Sequence, residues 1–176
     1  MGIFERIAEA IFRMARGDVK KRWLFTPVVG FIFACFVALF FLAAVFTDRW
    51  LQLPSISYMP WTLIPALILL VAGSILLVWT WTLFIIAHGT AVPVNPPHQL
   101  ITTGLYKYSR NPMMLGIYLV FFGVGIWIGS LSLVAIYTPL FIIIMTVYAK
   151  KIEEKELELK FGQPYVDYKK RVRMYI

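Results

Sequence analysis

The stretch MMLGIYLVFFGVGIWIGSLSLVAIYTPLFIIIMTVYA (residues 113–149) contains two apolar segments, 113–128 and 131–149, separated only by Gly129-Ser130. It contains no Asp, Glu, Lys, Arg or His. Each segment is close to the length that crosses the hydrocarbon core of a bilayer as a helix. Because the connection is so short, the sequence predicts a tight helical hairpin. Such a hairpin brings the residues before 113 and after 149 to the same side of the membrane.

Two further apolar segments precede the hairpin, at residues 24–46 and 61–87, and neither contains a charged residue. The whole chain of 176 residues is 60% hydrophobic, whereas a soluble domain is roughly 45–50% apolar. We therefore predict an all-α membrane protein with about four transmembrane helices, forming a single integral membrane domain over residues 1–176.

The first 22 residues are predicted to contain an interfacial amphipathic helix. Between residues 3 and 16 the apolar side chains recur at helical spacing, and the charged side chains lie on the opposite face. This pattern is typical of a helix that lies in the headgroup plane. The alternative is that this helix forms a lid over a functional site.

The basic residues are distributed asymmetrically around the apolar segments. Of 17 Lys and Arg, six precede the first span, two lie in the 88–112 loop and eight follow the last span, so Arg49 alone remains for the other side. This is the positive-inside pattern. It places both termini, the 88–112 loop and the 150–176 segment on the cytosolic side of the cytoplasmic (inner) membrane.

Composition disfavours several classes of function. The net charge of +8 is explained by topology and contact with the lipid bilayer, so no nucleic-acid partner is predicted. Two His and one Cys are too few for a dedicated transition-metal cage, and no metal is predicted. Ion-coupled transport usually needs ionisable groups at membrane depth, and none is present in the four spans.

Polar chemistry is therefore expected in the two site-forming segments, 88–112 and 150–176. In the first, Pro112 suits the first position of the third transmembrane helix and Asn111 lies near its cap. The open amides of that helix start, together with Arg110, favour an anion. The alternative is a well-capped membrane helix with an arginine that reaches the interface.

In the second segment, residues 150–161 are predicted to form a helix that leaves the membrane and ends at Gly162 and Pro164. Glu153 shares a helical face with Leu157 and Phe161, so we expect it to point inward. A solvated face is expected for the other glutamates of this helix, Glu154, Glu156 and Glu158.

Two groups of residues carry a resemblance to a known family. The first group is His98-Gln99-Leu100-Ile101, Gly104-Leu105-Tyr106, Arg110-Asn111-Pro112 and Gly116. The second group is Glu153-Glu154, Leu157, Phe161-Gly162, Tyr165 and Tyr168. These groups are similar to the two signatures of the isoprenylcysteine carboxyl methyltransferase superfamily of integral membrane methyltransferases, which includes phospholipid methyltransferases. The region of resemblance runs from about residue 89 to 171.

The resemblance implies that S-adenosylmethionine binds at the membrane surface and leaves as S-adenosylhomocysteine. The cofactor-contacting positions that it implies are His98, Gln99, Leu100, Ile101, Gly104, Tyr106, Asn111, Pro112, Met113, Met114, Glu153 and Glu154. Arg110 and Glu153 are the predicted catalytic residues. The chain differs from family members at three positions. Asn111 stands where eukaryotic members have a His, although many prokaryotic relatives also have Asn, and Met114 replaces the usual Tyr. Ala149 stands where eukaryotic members have an Arg that is interpreted as substrate-facing.

The predicted activity is direct methyl transfer to a lipid-like or prenylated acceptor that carries a carboxylate or a thiol. The protein would mainly align donor and acceptor. Two alternatives remain open: N-methylation of a phospholipid or small amine by the same architecture, and a non-enzymatic membrane scaffold. The stretch Gly125–Gly129 permits either helix dimerisation or close packing within the hairpin.

Overall fold

A computed structural model of the chain describes residues 2–56 and 60–175, and these residues form helices and loops without a strand. The helices are α1 (Ile3–Ala15), α2 (Val19–Trp50), α3 (Leu63–Ile86), α4 (Pro112–Ile128), α5 (Thr138–Tyr148), α6 (Glu154–Phe161) and α7 (Gln163–Arg171). A short 3-10 turn covers Gly104–Lys107, and two π-helical turns cover Leu133–Tyr137 and Ala149–Glu153. The predicted all-α fold class is confirmed.

Three helical segments are long and apolar enough to cross a membrane: Val19–Trp50, Leu63–Ile86 and Leu133–Phe161. The fourth apolar helix, Pro112–Ile128, has 17 residues, the lower end of the range that spans a bilayer. Large apolar side chains such as Leu39 and Ile68 are exposed along α2 and α3. Surfaces of this kind are compatible with lipid contact and costly in water. The chain is therefore an integral membrane protein.

The helix boundaries refine the predicted segments. The first helix begins at Val19 and ends at Trp50, so it is longer at both ends than the apolar segment 24–46. The helix that contains the last apolar segment does not end at residue 149 but continues without interruption through the π turn into α6. The helix α7 was not predicted. Its sequence begins after Gly162, and Pro164 lies in its first turn, a position that proline favours.

The described residues divide into two compact units. One unit contains residues 2–32, 79–112 and 146–175, and the other contains residues 33–56, 60–78 and 113–145. The first unit contains most of the predicted polar site, and the second contains the hairpin.

The predicted tight hairpin is observed in the second unit. Gly129 ends α4 with a φ of +73°, a conformation that glycine adopts at low cost. The carboxylate of Asp48 on α2 accepts hydrogen bonds from the Ser130 hydroxyl and, at 2.9 Å, from the backbone amide of Ser132. A Cβ atom on Gly125 would meet Val134 at 2.7 Å, so this glycine serves packing within the hairpin.

Glycine also allows α3 and α4 to approach each other closely. A Cβ atom on Gly73 would lie 2.7 Å from the carbonyl oxygen of Gly116, and a Cβ atom on Gly116 would lie 3.0 Å from that of Gly73. In a membrane, hydrophobic burial does not drive helices together, because lipid tails are as apolar as the helix surfaces. Small residues at the contact therefore favour helix association by allowing close packing. Beside this contact, Phe121 stacks on Phe141 with a ring separation of 4.5 Å.

We expect Gly73→Ala to destabilise the protein by about 1–3 kcal/mol, because the new methyl group meets backbone that cannot move away without shifting a helix. Thermal unfolding in detergent measures the effect. The matched control is Gly30→Ala in α2, where a Cβ atom would meet nothing within 4 Å. Equal unfolding temperatures for the two variants would show that the α3–α4 contact is not close.

In the first unit, α1 packs against α6 and the π turn that precedes it. Ala8 is fully buried in this contact, and Lys155 pairs with Glu5 at 2.8 Å. Ile3 and Met14 of α1 stay exposed, as an amphipathic helix at a lipid interface requires.

Candidate functional site

Three separate segments of the chain meet in the first unit: the loop before α4, the helix α6 and the helix α7. The guanidinium Nη1 of Arg110 pairs with Glu154 Oε1 at 2.5 Å. The hydroxyl of Tyr168 donates a hydrogen bond to the backbone carbonyl of Tyr106 at 2.6 Å. The two segments that the sequence assigned to one site are therefore brought together.

Glu154 lies at the centre of an ion-pair network. Its second carboxylate oxygen pairs with Lys169 of α7 at 2.5 Å, and Lys169 also pairs with Glu158 at 3.0 Å. The hydrogen bond with Glu154 raises the pKa of Lys169 above its usual value. The Arg110 and Glu154 side chains are 12% and 9% exposed, so this pair is largely removed from solvent.

The prediction of a solvated face for Glu154 and Glu156 was wrong, since both residues are buried. The prediction did not include the tertiary partners of this helix. Arg110 pairs with the Glu154 carboxylate, and α7, which was not predicted, places Lys169 against the same carboxylate.

Glu153 differs from Glu154 because it takes part in none of the ion pairs of the described residues. It lies near Tyr106: burial, and secondly the charge of Glu153, raise the pKa of the Tyr106 hydroxyl above its usual range. Burial and the charge of Glu154 also raise the pKa of the Tyr165 hydroxyl above its usual range. Among the described residues, Glu153 is thus a carboxylate without a cationic partner, near the half-buried Tyr106.

The segment after α7 fixes the loop before α4. The backbone amides of Arg110 and Asn111 donate hydrogen bonds to the carbonyls of Arg173 and Met174, at 2.9 and 3.2 Å. The hydroxyl of Ser109 donates to the Met174 carbonyl at 2.9 Å. These two amides, which precede the first turn of α4, are therefore already bonded. One donor of Arg110 remains, since its buried Nε has no hydrogen-bond partner among the described residues.

The other predicted cofactor-contacting residues are more dispersed. His98, Gln99 and Gly104 are exposed, whereas Leu100 and Ile101 are half-buried. Pro112 is buried at the first position of α4, as predicted. Met113 and Met114 come next in the first turn of α4, within the second unit, and are half-buried.

Sequence reasoning missed several members of the polar region. Lys169 was missed because α7 was not predicted, although Pro164 was a signal for a helix start. Arg22 and Asn95 gave no signal, because 73 residues separate them and their contact depends on the tertiary fold. Among the described residues, no three His, Cys, Asp or Glu side chains are grouped so that they could hold a metal ion.

The helices and this polar region define an integral membrane protein with a cluster of ionisable groups where the loop before α4 meets α6 and α7. The chain belongs to the phospholipid methyltransferase family, whose family model matches residues 61–164. The resemblance to integral membrane methyltransferases that the two signatures indicated is confirmed by this match.

A relative described as methanethiol S-methyltransferase 2, from Bradyrhizobium diazoefficiens, is 35% identical to the chain over 72 residues. The match covers 41% of this chain and 26% of the relative, so it spans about a quarter of the relative's length. No solved structure matches the chain.

Proposed function

We propose that the protein transfers a methyl group from S-adenosylmethionine to a thiol or carboxylate acceptor that partitions into the membrane. Family membership supports methyl transfer, and the name of the Bradyrhizobium relative supports a sulfur acceptor. The observation that carries the proposal is Glu153, a carboxylate that lies beside Tyr106 and is not paired with any described cation.

The residues of the cluster fit the donor molecule. S-adenosylmethionine carries an ammonium group and a sulfonium, which favour a carboxylate, and a carboxylate of its own, which favours an N–H donor. Glu153 supplies the first of these partners. The unpartnered Nε of Arg110 supplies the second. Tyr106 and the half-buried Leu100 and Ile101 offer apolar contacts for a nucleoside.

Held by Glu153 and Arg110, the donor would supply an activated methyl group and its own leaving group, S-adenosylhomocysteine. The chain's residues would orient the acceptor toward that methyl group. Alignment of this kind can contribute on the order of 7–11 kcal/mol. A thiolate or carboxylate acceptor needs no general base, whereas a protonated amine does. This difference favours the sulfur or oxygen acceptor.

N-methylation of a phospholipid amine is the second candidate, and the description of the family favours it. In that reaction a carboxylate such as Glu153 would remove a proton from the acceptor. A scaffold without catalytic activity is the third reading. For all three, the basic residues that flank the spans support an inner-membrane protein with both termini and the site on the cytosolic side.

Two measurements test the proposal with the full chain in detergent. Isothermal titration with S-adenosylhomocysteine should show one binding site, and the absence of heat in a folded sample would remove both enzyme readings. Radiolabelled S-adenosylmethionine is then supplied with an alkanethiol, a prenylated thiol or carboxylate, or phosphatidylethanolamine. We expect label in the thiol or carboxylate products, and label confined to phosphatidylethanolamine would establish the amine reading instead.

A further inference from the structure

The loop of residues 89–97, which contains Pro93, Pro96 and Pro97, is closed on itself, and we call it the proline loop. The amide and the hydroxyl of Thr90 donate hydrogen bonds to the Asn95 carbonyl, at 2.8 and 3.0 Å. A Cβ atom on Gly89 would lie 2.3 Å from the Cα atom of Pro97, so the two ends of the loop are in direct contact. These features fix the shape of the loop, whereas its place against the helices depends on other contacts.

Two cationic side chains hold the proline loop from outside. Arg22 Nη2, at the start of α2, donates a hydrogen bond to Asn95 Oδ1 at 2.5 Å. Lys160 Nζ, on α6, donates to the carbonyls of Pro97 and Pro96 at 2.6 and 3.3 Å. Charged donors form stronger hydrogen bonds than neutral ones. Because the Pro97 carbonyl belongs to the peptide unit that leads to residue 98, Lys160 fixes the point at which the chain leaves the loop.

Lys160 and Glu153 are linked along one side of the same helix by Glu156. Glu156 lies near both of them, and Lys160 follows it by four residues, about one helical turn. Glu156 is only 3% exposed, and its carboxylate offsets the charge of the half-buried Lys160. The seven residues from Glu153 to Lys160 correspond to about 10 Å of helix. Lys160 therefore lies at the opposite end of α6 from Glu153.

The chain that follows the proline loop connects these two ends of α6. It starts at Pro97, which Lys160 holds, and reaches Tyr106, which lies near Glu153. The second end is fixed separately, because the Tyr106 carbonyl accepts a hydrogen bond from the Tyr168 hydroxyl at 2.6 Å. Between the two ends are five of the predicted cofactor-contacting residues: His98, Gln99, Leu100, Ile101 and Gly104. The position of this segment along α6 thus depends on Lys160 at one end and on Tyr168 at the other.

We propose that Lys160 is a positioning residue for the methyl-donor site, because it holds the proline loop so that residues 98–101 lie where the donor binds. The inference rests on the proposed function and adds Lys160 to it. Lys160 acts through this segment and not by contact with the donor, since two backbone carbonyls engage its ammonium group. Without this anchor, the segment occupies the binding-competent position for only part of the time. The apparent dissociation constant for the donor then rises in inverse proportion to that fraction.

The test measures S-adenosylhomocysteine affinity and hydrogen exchange with the full chain in detergent. Lys160→Met keeps the apolar stem and removes the ammonium group. We expect about 10-fold weaker affinity, which corresponds to a competent fraction of about one tenth. The amides of residues 95–101 should exchange faster than in the wild type, and saturating S-adenosylhomocysteine should restore the wild-type rate.

Two further variants separate positioning from a general effect of a lost lysine. Lys160→Arg retains charged donors for the two carbonyls, so it should retain most of the affinity. The matched control is Lys170→Met, which removes an ammonium group that pairs with Asp167 at 3.4 Å and whose side chain is 69% exposed. This control should change neither the affinity nor the exchange of residues 95–101.

Gly89→Ala tests the same segment in case Lys160→Met does not fold. Its methyl group displaces Pro97 while the Lys160 and Glu156 side chains are unchanged, so it should also weaken affinity and accelerate exchange. Unchanged affinity in the folded variants, or equal losses in Lys160→Met and Lys160→Arg, would overturn the proposal. Weaker affinity with wild-type exchange would also overturn it, because Lys160 would then contact the donor directly. If the wild type binds no S-adenosylhomocysteine, the proposed function itself fails, whereas the other outcomes remove only the role of Lys160.

Discussion

Replacing Glu153 with Gln is expected to lower the affinity for S-adenosylhomocysteine by about 10- to 100-fold while the protein remains folded. A hydrogen bond to a charged group contributes roughly 1.5–3 kcal/mol, and this variant removes the charge without removing the side-chain volume. Because Glu153 is paired with no described cation, its replacement leaves no cation without a partner. Stability should therefore stay the same or rise. Titration calorimetry and thermal unfolding of the same samples give the two results.

Glu158→Gln is the matched control, since it makes the same chemical change five residues along the chain. Glu158 pairs with Lys169 at 3.0 Å, and its side chain is 39% exposed. Lys169 retains Glu154 as a partner in this variant. The affinity for the cofactor product should not change. Equal losses of affinity in the two variants would contradict the assignment of Glu153 to the donor site.

The meeting of the loop before α4 with α6 was predictable from the sequence, because it depends on chain connectivity. A two-residue turn at Gly129-Ser130 permits only a hairpin, and a hairpin returns the end of the last span to the side from which α4 starts. Within the first unit, Arg110 and Glu154 are in contact, as this prediction requires. The membrane-spanning helices were predictable from the long uncharged runs. Within a bilayer, a single segment can satisfy its backbone hydrogen bonds only by forming a helix.

The burial of individual glutamates was not predictable, because it depends on tertiary partners that the helical period of residues 153–161 does not identify. Glu154 pairs with Arg110 and with Lys169, and Lys169 lies on α7, a helix that was not predicted. Likewise, the contact of Arg110 and Asn111 with residues 173 and 174 is made by backbone groups, which are the same in every sequence. Only the tertiary fold could identify this contact.

The largest loss of stability is expected from Glu154→Leu. Arg110 and Glu154 are both nearly buried, so the variant leaves the Arg110 guanidinium without its carboxylate. Removing one partner of a buried ion pair typically costs about 3–5 kcal/mol, mainly because the remaining charge stays desolvated. Lys169 is 36% exposed and can be solvated, so it should add little to the loss. Unfolding in mixed detergent micelles measures the free energy.

The double variant Arg110→Met with Glu154→Leu separates this cause from a general loss of packing. If the cost arises from the unpaired guanidinium, the double variant should recover much of the stability that Glu154→Leu loses, since no charge is left buried. Glu9→Gln is the solvent-exposed comparison: the Arg13–Glu9 pair has side chains that are 77% and 38% exposed, and its loss should cost about 0–1 kcal/mol. A double variant no more stable than Glu154→Leu would mean that Glu154 stabilises the loop, α6 and α7 by shape and hydrogen bonding, and not by compensating Arg110.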